Sequence, residues 1–197
     1  MKRLLFRLAA TLFELQTRRL LAHRRFKIVA VGGAVGKTTT TKAIATVLRQ
    51  KYRVLAPAGG FNTQIGLPLA VFNLTLPDHL FNPFPWLWRL IQMELALHRP
   101  YPYDILVVEI GIDTPGEMAQ YLRYIHPDLA VVTAIVPEHM EYFRDLNVVA
   151  REELALVAGS DQALVNYDDT GESYREQYVD PHPDHYYGLG RQLDYSF

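Results

Sequence analysis

The segment that most constrains the fold is an apolar run, KIVAV (residues 27–31), which leads directly into the glycine-rich stretch GGAVGKTT (residues 32–39). A short apolar run of this kind predicts a buried strand, and the residues after the glycines predict a helix over about 37–50. Glycines let backbone N–H groups curl around an anion, and the N-terminus of the following helix points at the same anion. The segment therefore predicts a phosphate-binding loop between a strand and a helix.

Short apolar runs continue to alternate with helical stretches along the rest of the chain. The predicted strands are 52–56, 104–110, 129–135 and 162–166, with a weaker one at 186–190, and the predicted helices are 86–98, 115–124 and 146–158. Residues 57–68 are rich in glycine and proline and predict a loop. Nearly continuous apolar strands that alternate with helices indicate an α/β fold, with a mostly parallel sheet covered by helices on both faces.

The charge of the chain is divided unequally. Residues 1–27 carry eight basic side chains and one acid, a net +7, whereas the remaining 170 residues carry 12 basic and 20 acidic side chains, a net −8. Such a division predicts a basic arm on an acidic body, and the acidic body argues against nucleic acid as a partner. The chain has no cysteine, which excludes disulfides and thiolate metal sites and agrees with a cytoplasmic protein.

Residues 2–24 predict one amphipathic helix. Its apolar positions recur at three- and four-residue spacings, at Leu5, Leu8, Leu12, Leu15 and Ala22, with arginines mostly between them. The segment is too short and too charged to span a bilayer. We divide the chain into this basic helix (1–25) and one globular domain (26–197). Two roles stay open for the helix: packing against its own domain, or contact with a partner or with the anionic inner face of the membrane.

The phosphate loop departs from the common pattern G-x-x-x-x-G-K-[ST], because Val31 stands where the first glycine belongs. The remaining pattern is the variant G-x-x-G-K-T-T. We expect Lys37 to reach the β- and γ-phosphates of a nucleotide and the Thr38 hydroxyl to coordinate Mg²⁺. The predicted nucleotide-binding residues are Gly33, Ala34, Val35, Gly36, Lys37, Thr38 and Thr39.

This variant loop resembles that of the central ATP-binding domain of the Mur ligases. Four further stretches resemble the MurF type of that family in the same order: GGFNTQIGLP (59–68), EIG with PGE (109–111 and 115–117), HPDLAVVT with EH (126–133 and 138–139), and VNYDD (165–169). The resemblance implies ATP and Mg²⁺ as cofactors. It also implies a ligase that activates a carboxylate, such as that of a muramyl peptide, as an acyl phosphate for amide formation in cell-wall peptide synthesis.

The resemblance also implies residue roles. Glu109 would bind magnesium beside Thr38, His139 would bind a second metal ion near the γ-phosphate, and Asn166 would lie at the adenine. Together with Lys37, Glu109 and His139 form the implied catalytic set. A structural ion pair for Glu109 and a structural role for His139 remain open alternatives.

Glu153 stands where many Mur ligases have a carbamylated lysine. Its carboxylate is a hard oxygen ligand that suits Mg²⁺, but the shorter side chain would act through a bridging water or a small helix shift. The alternative is that Glu152 and Glu153 form the solvated face of a helix.

The chain departs from the full Mur ligase pattern at both ends. Mur ligases have an N-terminal domain for the nucleotide-sugar substrate and a C-terminal domain for the amine, and we expect the isolated chain to need such a domain, or a partner chain, for ligation. A poly-γ-glutamate synthase ATP domain of the CapB type is an alternative. A nucleotide-binding regulatory or scaffold module without ligase activity is another.

Overall fold

A computed structural model describes most of the chain, namely residues 2–57, 63–77, 79, 82–143, 145–179, 185–189 and 195–196. Two parts of the sequence predictions lie outside these ranges. They are residues 59–62 of the MurF-like stretch and Gly190 of the last predicted strand.

Strands and helices alternate as the sequence predicts. The strands are β1 (Lys27–Gly32), β2 (Val54–Leu55), β3 (Ile105–Glu109), β4 (Leu129–Val132), β5 (Ala163–Asn166), β6 (His185–Gly188) and β7 (Tyr195–Ser196). The helices are α1 (Lys2–Ala22), α2 (Lys37–Leu48), α3 (Gly66–Val71), α4 (Pro83–Leu97), α5 (Glu117–Leu122), α6 (Met140–Phe143), α7 (Leu146–Ala158) and α8 (Glu172–Tyr178).

The strands form one seven-stranded sheet in the order β2-β3-β1-β4-β5-β6-β7, and every neighbouring pair is parallel. The α/β prediction is confirmed. Strand β1 lies between β3 and β4, so the order in which successive strands are added to the sheet reverses beside β1. In open α/β sheets, ligands bind outside the carboxyl ends of the strands at such a switch point, and the glycine-rich loop follows β1 there.

Helices cover the sheet on both faces. On one face, Val29 and Val31 of β1 pack with Ala45 of α2. On the other face, Ile28 and Ala30 belong to a larger cluster that includes buried residues of α3, α5 and α7. Because alternate strand residues point to opposite faces, the apolar run of β1 contributes to two hydrophobic cores.

Helix α1 packs against its own domain, but not through the predicted stripe. Leu8 and Leu15 are exposed, whereas Ala9, Phe13 and Thr17 are buried, and Ala9 and Phe13 share a core cluster with residues of α3 and α4. A buried threonine broke the apolar pattern in the sequence, yet its hydroxyl donates to the Phe13 carbonyl at 2.9 Å. No helix in the described part of the chain combines the length and apolar character needed to cross a membrane.

The largest error of the sequence prediction is the loop predicted for residues 57–68. Residues 66–71 form helix α3, and all six are buried. Pro68 fits because the first turn of a helix needs no N–H from it, and Thr63 Oγ1 accepts a hydrogen bond from the Gly66 N–H at 2.8 Å.

Smaller differences concern the ends of elements. The predicted strand 52–56 shortens to β2. The predicted strand 129–135 shortens to β4, because the chain leaves the sheet at Thr133 to contact the glycine-rich loop. Helices α6 and α8 and strand β7 were not predicted. They are short, and the last two follow Asp168, where the apolar pattern weakens.

Candidate active site at the carboxyl edge of the sheet

Two glycines give the loop after β1 its shape. Gly33 has φ +107° and Gly36 has φ +86°, conformations that residues with a Cβ rarely adopt. A Cβ on Gly33 would also lie 2.5 Å from Thr133 Oγ1 and 2.9 Å from the Ala134 nitrogen. A glycine is therefore required at position 33 both for the backbone angle and because a Cβ would not fit. At position 36 it is required mainly for the backbone angle.

The end of β4 holds this loop in place. The Thr133 hydroxyl lies 2.6 Å from the Val35 carbonyl and 3.1 Å from the Gly32 carbonyl, and the Ala34 N–H donates to the Ala134 carbonyl at 2.8 Å. These contacts join two neighbouring strands at the switch point. The loop is thus preorganised by the sheet before any ligand binds.

Helix α2 begins at Lys37 with no side-chain cap on its first N–H groups. A 12-residue helix with an uncapped N-terminus attracts anions, because its free N–H groups and its dipole both carry positive charge there. The Lys37 ammonium is folded into the loop and donates to the Gly33 and Ala34 carbonyls at 2.6 and 2.9 Å. The loop therefore combines free N–H donors with one largely buried cation.

The structure brings Thr38 and Glu109 together. The Thr38 hydroxyl donates to Glu109 Oε2 at 3.0 Å. Glu109 ends β3, pairs in register with Val31 of β1, and is 9% exposed. A hydroxyl and a carboxylate are the hard oxygen ligands that Mg²⁺ prefers, so these two residues fit the predicted magnesium site.

A second group of charged side chains surrounds His139. Its Nε2 lies 3.4 Å from Asp113 Oδ1 and 3.6 Å from Glu138 Oε1, and Glu138 Oε2 lies 3.8 Å from the Lys37 ammonium. His139 itself has φ +50°, a strained backbone for a non-glycine residue, and such strain is concentrated at functional sites. The group therefore extends from the phosphate loop to the loop after β3.

The loop after β3 is held by Glu117. Its Oε2 accepts hydrogen bonds from the Asp113 and Thr114 N–H groups at 2.7 and 3.0 Å. These bonds place Asp113 opposite His139. Within the described residues, no group of three or more His, Asp or Glu side chains is arranged so that it could hold a metal ion.

Asn166 is the last residue of β5, and its side chain forms hydrogen bonds within the turn that follows the strand. Its Oδ1 accepts from the Asp168 and Asp169 N–H groups, and its Nδ2 donates to Asp169 Oδ2 at 2.8 Å. The Asp169 carbonyl in turn accepts from the Ile135 N–H at 2.9 Å, in the loop after β4. The predicted adenine residue thus lies at the carboxyl edge of the sheet, next to the segment that holds the phosphate loop.

Glu153 is not on a solvated helix face. It lies on α7, is 1% exposed, and its Oε2 accepts a hydrogen bond from the Gly33 N–H at 2.8 Å. Burial raises the pKa of this carboxyl to about 7, although the Gly33 bond and the nearby charge of Lys37 oppose the rise. Glu153 therefore stabilises the phosphate loop through a buried hydrogen bond to its backbone.

Comparison with known proteins places this arrangement in a family. Residues 90–195, more than half of the chain, match the family described as Mur ligase middle domain. The UDP-N-acetylmuramoyl-tripeptide–D-alanyl-D-alanine ligase of Bacillus subtilis strain 168 is 32% identical over 133 residues, which are 68% of this chain. The chain belongs to the Mur ligase family.

Other relatives agree with this assignment. The ligase of the same description from Escherichia coli K12 is 28% identical over 145 residues, or 72% of this chain. The aligned parts are 24% of the B. subtilis protein and 26% of the E. coli protein. The chain thus spans about a quarter of the length of these Mur ligases.

Solved structures show the same fold. MurF from Thermotoga maritima in complex with ADP superposes with a TM-score of 0.68 at 22% identity, covering 92% of this chain and 36% of that one. A crystal structure of MurF from Acinetobacter baumannii gives a TM-score of 0.67 at 18% identity, covering 92% and 35%.

Three residues of the site at the carboxyl edge of the sheet were not among the predicted site residues. Thr133 and Glu138 belong to the stretches that carry the family resemblance, so the signal was present. Asp113 follows Glu109 by four residues, in the loop after a strand, where ligand-binding side chains collect. That spacing was the only sequence signal for it.

Proposed function

We propose that this chain binds Mg-ATP at the loop formed by residues 33–39, as the ATP-binding domain of a Mur-type ligase. The observation that carries the proposal is a preshaped glycine loop whose helix N-terminus is uncapped and whose lysine lies inside the loop. The relative of known structure from T. maritima was solved with ADP, which supports a nucleotide as the ligand.

The triphosphate would lie along the N–H groups of residues 35–39, because the Gly33 and Ala34 N–H groups already donate to Glu153 and to the Ala134 carbonyl. The Lys37 ammonium would turn from the loop carbonyls to phosphate oxygens. Thr38 and Glu109 would hold Mg²⁺, which neutralises phosphate charge when bound. His139 would contribute to a second metal ion near the γ-phosphate, as the family resemblance implies. Glu153 would contribute to that metal only through a water molecule or a helix shift, since its Oε2 accepts from the Gly33 N–H.

The proposed reaction is the activation of a carboxylate. A carboxylate oxygen of a muramyl-peptide-like substrate attacks the γ-phosphorus, the bond to the β-phosphate oxygen breaks, and ADP leaves. An amine then displaces the phosphate from the acyl phosphate and forms the amide. Because the chain covers about a quarter of its ligase relatives, we expect amide formation to require the remaining parts of such an enzyme, in the same chain or a partner.

Nucleotide binding is tested by calorimetric titration of Mg-ATP into the wild-type chain and into Lys37→Ala. Charge-assisted hydrogen bonds to phosphate lead us to expect a loss of roughly 100-fold in affinity. Lys42→Ala is the matched control, because Lys42 is an exposed cation further along α2. Equal affinities for wild type and Lys37→Ala would contradict the proposal.

The magnesium site is tested in the same titration with and without Mg²⁺. Wild type should bind ATP more tightly with the metal, and Glu109→Gln should lose most of that difference while still binding metal-free ATP. A metal effect of equal size in both proteins would remove Glu109 from the proposed site. Amide formation from ATP, a muramyl tripeptide and D-alanyl-D-alanine, with and without the other domains of a Mur ligase supplied, separates a ligase domain from a regulatory module.

A further inference from the structure

A strongly basic cavity lies at the amino edge of the sheet, away from the phosphate loop. It has a volume of about 470 Å³ and lies between the end of α1, the end of α4 and the starts of β1, β2 and β3. Its basic lining residues are Arg19, His23, Arg24, Arg25, Arg53 and Arg99. Since β1 runs from one edge to the other, the cavity lies roughly 17 Å from the loop at ordinary strand rise.

The charges of this cavity are only partly balanced by carboxylates. Three of its arginines form ion pairs at 2.5–2.6 Å, namely Arg19 with Glu94, Arg24 with Asp128 and Arg53 with Asp104. Across the described ranges, no carboxylate lies within ion-pair distance of Arg25 or Arg99. The cavity therefore keeps a surplus of two positive charges, which an anion would offset.

An apolar cavity of about 490 Å³ adjoins the basic one. The two share Leu20, Arg99 and Tyr101 in their linings, and Phe72 and Leu95 extend the apolar side. Tyr101 is held firmly in this common wall, because its ring stacks on Phe26 at 4.1 Å between centroids. Its hydroxyl also donates to the Val71 carbonyl at 2.7 Å.

We propose that the two cavities form one binding site for a phosphate-bearing amphiphile, with the phosphate between Arg25 and Arg99 and the apolar part against Leu20, Phe72 and Leu95. A phosphate monoester carries close to two negative charges at neutral pH, which matches the surplus. The planar guanidinium binds phosphate through two parallel hydrogen bonds. Phosphatidic acid, a membrane lipid with a phosphate monoester head, and a soluble alkyl phosphate share this chemistry. The site is independent of the proposed function.

The site is tested by calorimetric titration with octyl phosphate below its micelle concentration. Inorganic phosphate supplies the head alone, and octyl glucoside supplies the chain with a neutral head. We expect octyl phosphate to bind roughly tenfold or more tightly than either, since each cavity adds its own contacts. Equal affinity for inorganic and octyl phosphate would overturn the proposal.

The residues are tested with the double variant Arg25→Ala/Arg99→Ala. Both side chains are exposed, so the variant should fold and bind Mg-ATP as wild type does. Its affinity for octyl phosphate should fall roughly tenfold or more, because two charge-assisted contacts are lost. The matched control is Lys42→Ala/Arg49→Ala, which removes two exposed cations outside both cavities. Unchanged binding by the Arg25/Arg99 variant would overturn the proposal.

Vesicle flotation at physiological salt identifies the source of the amphiphile. Flotation with phosphatidic acid but not phosphatidylcholine vesicles, lost in the Arg25/Arg99 variant, assigns a membrane lipid and supports the site. Octyl phosphate binding without flotation assigns a soluble alkyl phosphate and also supports it. The proposal would be overturned if wild type did not bind octyl phosphate and flotation persisted in the Arg25/Arg99 variant. It would also be overturned if wild type showed neither octyl phosphate binding nor flotation.

Discussion

The two edges of the same parallel sheet both collect positive charge, but they do so by different means. At the carboxyl edge, the charge comes from backbone N–H groups, a helix N-terminus and one lysine whose side chain is 13% exposed. At the amino edge, it comes from arginine side chains, most of them exposed and several held by carboxylates.

This difference indicates which kind of substitution each edge is sensitive to. The carboxyl edge depends on shape, because a loop of N–H donors works only if glycines let it close against β4. The amino edge depends on the number of charges, because arginines reach an anion from many positions. We therefore expect substitutions of shape to damage the first edge, and changes of charge or salt to weaken the second.

The largest effect expected from a single methyl group is at Gly33. Gly33→Ala adds a Cβ 2.5 Å from Thr133 Oγ1 at φ +107°, and backbone strain together with overpacking should lower the free energy of unfolding by about 4 kcal/mol. Urea unfolding followed by circular dichroism measures this, and Mg-ATP affinity should fall as well.

Gly116→Ala is the control for Gly33→Ala. Gly116 has φ +91°, but a Cβ there would meet nothing within 4 Å, so only the backbone strain applies, at about 1 kcal/mol. If the two variants lose equal stability, the close packing of the phosphate loop against β4 is not what requires Gly33.

The second effect concerns Glu153 and is a dependence on pH. Because burial raises its pKa to about 7 from an ordinary 4.5, the folded chain keeps a proton that the unfolded chain loses between these values. The free energy of unfolding should therefore fall as pH rises from 4.5 to 7, and Glu153 alone should contribute on the order of 3 kcal/mol to that fall.

Glu153→Gln stays neutral and should remove that part of the slope when unfolding is measured at several pH values. Glu176→Gln is the control, since Glu176 is exposed on α8, and it should keep the wild-type slope. An unchanged slope in Glu153→Gln would show that the carboxyl beneath Gly33 does not titrate in this range.

The smallest effect belongs to the amino edge, at Asp128. Its carboxylate accepts from Arg24 and Lys27 at 2.5 and 2.6 Å and from the Ile28 N–H at 2.8 Å. Burial acts to raise its pKa, but these hydrogen bonds outweigh it and hold the pKa below the ordinary value. Asp128→Asn should cost about 2 kcal/mol at pH 7.

That contribution is present above the ordinary pKa and is lost as pH falls through the lowered one, so wild type and Asp128→Asn should converge in acid. The comparison variant is Glu14→Ala, which removes an exposed pair with Arg18 and should cost at most about 0.5 kcal/mol. Equal costs for the two variants at pH 7 would mean that partial burial adds nothing to the Asp128 pairs.

The sequence predicted the carboxyl edge better than the amino edge, for a physical reason. A phosphate loop is local: its glycines, lysine and threonine all lie within residues 32–38, so one stretch of sequence contains the whole geometry. The position of Glu109 at a strand end is also local, and the parallel order of β1 and β3 then brings it to Thr38.

Features that depend on packing between distant segments could not be predicted in this way. Burial of Glu153 beneath Gly33 joins residues 120 positions apart, so no local pattern within α7 predicts it. The buried face of α1 was misplaced because Thr17 has a polar side chain that finds its partner within the helix. The basic cavity unites α1, α4 and the starts of three strands, which only the fold brings together.

The ATP site at the carboxyl edge is tested by a crystal structure of the chain with Mg²⁺ and a non-hydrolysable ATP analogue. We predict the triphosphate along the free N–H groups of residues 35–39, with the Lys37 ammonium on phosphate oxygens. The metal ion should lie about 2.1 Å from the Thr38 and Glu109 oxygens. A nucleotide bound in the basic cavity instead, with the glycine loop facing solvent, would contradict the assignment of the carboxyl edge as the ATP site.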